Sequence, residues 1–120
     1  MSDKAKLIAQ HNDLFRTSCG LPLSRQARAI PGQLMMTAGI AALPGEVQAD
    51  LVLAVMAFDD FTEDNDPHGE HDFGVIHHDI AGRVFWKIDL FDNELEFYTP
   101  DPTDPDQTVR VLTIMLAEEY

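Results

Sequence analysis

The chain has 120 residues, of which 45% are hydrophobic, and it carries a formal net charge of −13 at pH 7. This length fits one domain with a single core, and this hydrophobic content excludes a disordered chain. Residues 59–120 hold three basic and seventeen acidic residues, a net charge of −14. Because such a surface repels phosphates, direct binding of DNA or RNA is not expected.

Compartment signals are few and agree with one another. Cys19 is the one cysteine, so no intramolecular disulfide can form and a reducing compartment fits. The first residues lack the apolar stretch of a signal peptide, and no apolar run approaches the ~20 residues of a membrane span. We therefore predict a soluble, cytoplasmic protein without membrane association.

The first quarter of the chain predicts an amphipathic helix followed by an arm. Ser2 is placed to cap a helix over residues 3–18, and Gly and Pro then interrupt residues 19–32. Arginines make this region basic: Arg16, Arg25 and Arg28. We predict a partly mobile, irregular basic arm, with the N-terminal helix and arm in 1–32 and a compact domain in 33–120.

The middle of the chain predicts a short strand and a buried helix. Gln33–Ala38 reads as the strand, and Pro44 opens a helix that runs to about Phe58. Apolar residues recur at helical spacing along it: Val47, Leu51, Ala54, Val55 and Phe58. We expect this helix to lie at the centre of the fold.

Three strands are predicted next. Phe73–Ile80 and Arg83–Phe91 form a hairpin, and the second is apolar on both faces, as in a central strand. After a turn, Glu94–Tyr98 is predicted as an edge strand with Leu95 and Phe97 pointing inward.

The end of the chain predicts a final helix. Asp104 is placed to cap it, Pro105 occupies its first position, and an apolar stripe follows: Val109, Leu112 and Leu116. The element order is then α-β-α-β-β-β-α. This order predicts a two-layer α+β domain with an antiparallel sheet of about four strands.

The stretch from Asp59 to Asp72 is the strongest functional signal. It has seven carboxylates and two histidines without any Lys or Arg. Its acids, with those of the later turn and edge strand, form a candidate surface for a basic protein or a nucleic-acid-binding complex, and one hypothesis is that they imitate the phosphate spacing of a nucleic acid. The candidate partner-binding residues are Asp59, Asp60, Glu63, Asp64, Asp66, Glu70, Asp72, Asp92, Glu94 and Glu96.

A metal site or an acid–base site is the alternative. The pattern from Asp64 to Gly69 resembles the start of an EF-hand, but Val75 occupies the twelfth position, where a bidentate Glu is required. The cofactor of such a site would be a divalent transition metal, and its candidate ligands are His71, Glu70 and Asp72. The catalytic candidates of a small metal-dependent hydrolase are Glu70, His71, Asp72 and Asp89.

Two structural alternatives remain open. Asp64, Asn65 and Asp66 are strong turn formers, so the segment can brace itself, and a carboxylate can pair with Lys87 or Arg83. The acidic patch can also be merely solvated on an obligate oligomer.

Four stretches carry a resemblance to a known family. Asn65–Gly74 resembles its NDPYGEHDFG signature and Trp86–Asp89 its WKIDYYD strand, while Asp101–Pro105 resembles DPADP and Val111–Tyr120 resembles VLTIMLAxEY. The family is an uncharacterised domain of unknown function, frequent on proteobacterial plasmids and mobile elements. The resemblance covers about 36–120.

The chain departs from this family pattern at two places. His68 stands where the family usually has Tyr, and Leu90-Phe91 where it tends to have Tyr-Tyr. The resemblance implies a mobile-element cargo protein that inhibits a nucleic-acid-processing or host-defence complex, of anti-restriction or anti-CRISPR type. Our leading hypothesis is a non-enzymatic acidic binding protein without a cofactor.

Overall fold

The structure is a computed structural model that describes residues 2–19, 21 and 24–120. Its helices are α1 (Asp3–Arg16), α2 (Arg25–Arg28), α3 (Ala38–Ala41) and α4 (Gly45–Ala57). Its strands are β1 (Gly32–Met36), β2 (Phe73–His78), β3 (Gly82–Phe91) and β4 (Val109–Leu116). Two short 3₁₀ helices flank β4, at Pro105–Gln107 and Ala117–Glu119.

The four strands form one mixed sheet in the order β1-β4-β3-β2. β2 and β3 form an antiparallel hairpin, β3 and β4 are antiparallel, and β1 is parallel to β4. The α+β class is thus confirmed, whereas the fully antiparallel sheet is wrong. The chain between β1 and β4 is long enough for the crossover that a parallel pair requires.

The predicted final helix is wrong, because Val109–Leu116 is strand β4. Three alternate side chains of β4 are completely buried on one face: Arg110, Leu112 and Ile114. This period of two belongs to a strand, and β-branched residues favour it. The predicted cap exists, since Asp104 accepts a hydrogen bond from the Asp106 N–H at 2.9 Å, but it starts only the 3₁₀ helix at Pro105.

The predicted edge strand Glu94–Tyr98 is also wrong. Asp92 Oδ1 accepts the backbone N–H groups of Glu96 at 3.0 Å and Phe97 at 3.4 Å, which closes a turn. One isolated bridge, from Tyr98 to Phe91, is what remains of a strand. Two side chains that were predicted to point inward are instead 43% and 70% exposed: Leu95 and Phe97.

The core lies between one face of the sheet and the helices α1 and α4. Trp86 of β3 is its largest fully buried side chain, with Phe15 of α1 and Leu51 of α4 in the same cluster. α1 begins at the predicted Ser2 cap, whose Oγ accepts the Ala5 N–H at 3.0 Å. α1 therefore contributes to the core that the sheet and α4 build.

The region predicted as an arm contains α2, and Cys19 before it is buried. Gly20, Pro22 and Leu23 of that arm lie outside the described residues. The mobility of the arm and the division at residue 32 stay predictions. None of the helices in the described part of the chain combines the length and the apolar character needed to cross a membrane.

Candidate functional site

The acidic segment, residues 59–72, begins with a turn held by its own polar groups. The Thr62 N–H donates to Asn65 Oδ1 at 2.7 Å, and the Asn65 N–H donates to Thr62 Oγ1 at 3.3 Å. Asn65 Nδ2 also donates to the Asp60 carbonyl at 2.7 Å, and the Asp66 N–H donates to the Thr62 carbonyl at 2.8 Å. Such side-chain bonds to nearby backbone fix the loop without a regular element.

His71 is held by α1 and by the segment itself. Its N–H lies 3.3 Å from both carboxylate oxygens of Asp66, and its Nδ1 lies 3.0 Å from those of Asp13 in α1. Its ring stacks on Phe61 with centroids 3.9 Å apart and planes 2° apart. Asp66 is buried in this arrangement, so this partner-binding candidate is not on the surface.

Arg16 is the cation that serves the end of α4. Its Nη1 donates to the Val55 carbonyl at 2.9 Å and the Met56 carbonyl at 3.3 Å, where a helix terminus favours positive charge. Its Nη2 lies 3.1 Å from Asp13 Oδ1, and its guanidinium lies 5.4 Å from the ring centroids of both Phe61 and Trp86. α1 thereby anchors the start of the acidic segment through a buried arginine.

Asn12 anchors the other end of the segment. Its Nδ2 donates to the Glu70 carbonyl at 2.9 Å, and its Oδ1 accepts from Arg110 Nε at 2.7 Å. The Arg110 side chain is fully buried, and Nη1 and Nη2 have no hydrogen-bond partner among the described residues. Burial lowers the pKa of Arg110 to about 10, so the guanidinium still carries its charge at neutral pH.

Three of the four catalytic candidates line one cavity of about 240 Å³: Glu70, Asp72 and Asp89. Burial, followed by the charge of Asp72, raises the pKa of Glu70. Burial also raises the pKa of Asp72, with the Asp66 charge as the next cause. Tyr98 lines the same cavity, and its pKa is raised by burial and then by the Glu70 charge.

His71 lies apart from this cavity and lines another one, with Phe61, Glu63 and Asp66. The structure therefore does not bring the histidine to the three carboxylates as an acid–base set. Asp89, one of these carboxylates, pairs with Lys87 Nζ at 2.9 Å.

The proposed metal ligands likewise do not converge. Within residues 2–19, 21 and 24–120, no group of three or more His, Cys, Asp and Glu side chains is placed to hold a metal ion. Glu70 and Asp72 line one cavity and His71 lines another, and His71 has a left-handed backbone conformation with φ of 55°.

Most of the other partner-binding candidates are exposed. None of them lies within 4 Å of a Lys, Arg or His nitrogen among the described residues, and Asp92, half-buried, is used by its own turn. The exposed, unpaired carboxylates belong to Asp59, Asp60, Glu63, Asp64, Glu94 and Glu96, while Asp72 is exposed as a residue but lines the cavity shared with Glu70.

Sequence reasoning missed the residues that hold the segment. Asn12 and Arg16 are four apart on α1, on the face that also buries Ile8, and this spacing was a usable signal. Arg110 stands between Val109 and Val111 in an apolar run, and this placement was the available signal that its side chain is buried. No sequence pattern pointed to Tyr98.

Comparison with known proteins gives a family. A family model described as a protein of unknown function, DUF3768, matches residues 36–119. No curated protein and no solved structure matches the chain. The match spans the acidic segment and Arg110 and leaves out α1, and it confirms the family resemblance, while a mobile-element origin stays a prediction. The chain belongs to the DUF3768 family of proteins of unknown function.

Proposed function

We propose that this protein is a binding protein that engages a basic partner through its acidic segment. The observation that carries the proposal is a set of exposed carboxylates that have no neutralising partner among the described residues and lie on and beside a turn that is already fixed. These are the side chains of Asp59, Asp60, Glu63 and Asp64.

Fixed charge is useful for association in two ways. Like charges held close together raise the local potential and accelerate the approach of an oppositely charged partner. Because Thr62 and Asn65 already order the turn, less conformational entropy is lost on binding. The anchors Asn12 and Arg16 extend this order to both ends of the segment.

The partner class follows from charge. A protein that handles nucleic acid presents a basic groove, and seventeen acidic residues in 59–120 complement such a groove. Inhibition of a nucleic-acid-processing or host-defence complex by nucleic-acid mimicry is the specific form of the proposal. We do not extend it to a hydrolase, because Glu70 and Asp72 are separated from His71.

The proposal is tested with an arginine homopeptide as the probe, titrated by calorimetry at low and at physiological salt. In the segment variant, four acids are neutralised: Asp59→Asn, Asp60→Asn, Glu63→Gln and Asp64→Asn. The matched control neutralises four exposed acids elsewhere: Asp3→Asn, Glu46→Gln, Asp79→Asn and Glu118→Gln.

We expect the segment variant to lose roughly tenfold or more in affinity, about 1.4 kcal/mol, while the control variant keeps most of its affinity. Both variants have the same net charge, so a difference between them locates the binding. Equal losses in the two variants would mean that net charge alone attracts the peptide, and the proposal would be wrong.

A further inference from the structure

One edge of the sheet has backbone groups that face away from it. At the two ends of β1, the Pro31 carbonyl accepts a hydrogen bond from β4 and the Thr37 N–H donates one to β4. In a parallel ladder the N–H and C=O of a residue point to the same side, so the odd-numbered residues between these ends face β4. The even-numbered residues face outward: Gly32, Leu34 and Met36.

This edge has little of the usual protection beyond Pro31, which directly precedes β1. Natural edge strands carry charges, prolines or bulges that prevent pairing with other chains. Residues 29–45, which include all of β1, contain no charged side chain and no histidine. The opposite edge, β2, is flanked by Asp72 and Asp79.

A groove of about 470 Å³ lies beside β1 on the sheet face opposite the core. Its apolar lining comes from Met35, Phe91, Leu95 and Val111, and Met35 is 47% exposed. The one carboxylate of its lining, Asp89, is paired with Lys87 at 2.9 Å. The groove therefore suits an apolar side chain from a strand placed next to β1.

The turn that contributes Leu95 to this groove is acidic. Leu95 stands between Glu94 and Glu96, which are exposed and unpaired among the described residues, and Glu94 lines a separate cavity. A second copy of this chain would bring the same turn and a net charge of −13, and the two would repel. A segment with apolar and basic residues complements both the groove and the charge of the chain.

We propose that β1 accepts an extended segment of the basic partner as a fifth strand. The segment pairs with the outward backbone groups of Leu34 and Met36, places an apolar side chain against Met35 at the β1 end of the groove, and carries Lys or Arg residues that complement the net charge of −13. This inference rests on the proposed function and assigns the partner's binding mode.

The test uses two soluble peptide probes of equal charge, one of alternating lysine and valine and one of helix-forming lysine and alanine. The variant is Met35→Lys, which places a charge in the groove. Its matched control is Leu53→Lys, at an apolar side chain of α4 that is 63% exposed. Both variants change the net charge equally.

We expect the wild-type chain to bind the alternating peptide at least about tenfold more tightly than the helical one. Met35→Lys should remove this preference, and Leu53→Lys should keep it. If both peptides bind equally, or if the two variants behave alike, the binding mode is wrong.

The exchange rates of the β1 amide hydrogens measure directly whether a strand pairs with this edge. The Leu34 and Met36 amides should exchange quickly in the free protein and slowly with the alternating peptide, while the Gln33 and Met35 amides are protected in both states. Peptide binding without new protection at Leu34 and Met36 would overturn the proposal. Protection that appears on concentrating the chain alone, with a doubled molecular mass, would show a second copy in place of the partner.

The failures of the two proposals are separable. Loss of arginine-homopeptide binding in the segment variant, without any effect of Met35→Lys, keeps the proposed function and rejects the strand. Loss of the alternating peptide in Met35→Lys, with equal arginine-homopeptide binding by the segment and control variants, rejects the proposed function.

Discussion

The acidic segment and the uncharged stretch 29–45 are opposites in both charge and backbone bonding. The segment has seven carboxylates, and its backbone is held by Thr62, Asn65, Asn12 and its own turns. The uncharged stretch includes β1, which pairs with a strand on one side only among the described residues. The region with the most charge is thus held by hydrogen bonds within the protein, whereas the region with outward backbone groups has no charged side chain to prevent pairing with another strand.

The two regions are therefore suited to different tasks. Exposed carboxylates act over a distance set by salt and are suited to attraction. Outward N–H and C=O groups act only in contact and are suited to fixing the register of a partner strand. Variants of the residues that hold the acidic segment test whether it is ordered, because this order distinguishes it from an ordinary charged loop.

The largest effect is expected from Arg16→Ala. This change removes a buried cation from the Val55 and Met56 carbonyls and from the partly exposed Asp13, and leaving the two carbonyls without their charged donor costs about 3 kcal/mol in sum. Urea unfolding at pH 7 measures it. The control Arg28→Ala, at an exposed arginine of α2, should change the free energy of unfolding by less than ~0.5 kcal/mol. A similar small change for Arg16→Ala would show that the segment is not anchored through α1.

A smaller loss is expected from Gly74→Ala, at the junction of the acidic segment and β2. A methyl group there would collide with the Trp86 indole and with Phe58 Cζ at 2.7 Å, and overpacking of this kind costs about 1–3 kcal/mol. Gly45→Ala is the control, since nothing lies within 4 Å of its added methyl group. Thermal unfolding of both variants checks the difference, and an unchanged melting temperature for Gly74→Ala would contradict this packing.

Asn65→Ala should cost about 1 kcal/mol, because an exposed turn loses the two hydrogen bonds of the Asn65 side chain. The turn should also become mobile, so affinity for the arginine homopeptide should fall although no charge is removed. Asn93→Ala, which loses one bond to the Asp106 carbonyl, is the control. Full affinity in Asn65→Ala would show that the order of the turn is irrelevant to binding.

The smallest effect is a pH dependence with a defined sign. The pKa of Glu70 is raised by burial in the folded chain, so its contribution to stability is present below the ordinary carboxyl pKa and is lost as the pH rises through the folded pKa. Glu70→Gln should therefore stabilise the chain more at neutral pH than near pH 3.5. Melting temperatures at both pH values measure this.

Glu119→Gln provides the control of opposite sign. Hydrogen bonds from the Thr37 hydroxyl, the Leu116 N–H and the Gly39 N–H lower the pKa of Glu119. Its contribution is present above the ordinary carboxyl pKa and is lost as the pH falls through the folded pKa. Glu119→Gln should thus destabilise the chain more at neutral pH than in acid. The same sign for both variants would contradict the two environments.

Elements with local signals were predicted well. The Ser2 cap, the apolar spacing of α4 and the β2–β3 hairpin each depend on residues close in sequence. β4 was predicted as a helix because Leu112 and Leu116 also fit a helical stripe. The segment is a strand because it pairs with β1 and β3, and this pairing joins residues that are far apart in the chain.

The same contrast holds for the candidate site. Residues 59–72 could be identified from the sequence alone, because their charge and their turn-forming residues are visible without knowledge of the fold. The sequence grouped Glu70, His71 and Asp72 because they are adjacent in the chain. In the fold, His71 lines a different cavity from Glu70 and Asp72.

The sequence by itself determined the α+β class, the family, the local element signals and the position of the acidic segment. Three features could be seen only in the tertiary structure. They are the parallel β1–β4 pair, the edge of β1 that no described strand pairs with, and the anchoring of the acidic segment by α1. The physical reason is separation along the chain. Caps, turns and periodicity act over a few residues, whereas the bond from Arg110 to Asn12 joins positions 98 residues apart and exists only once the sheet and α1 have packed.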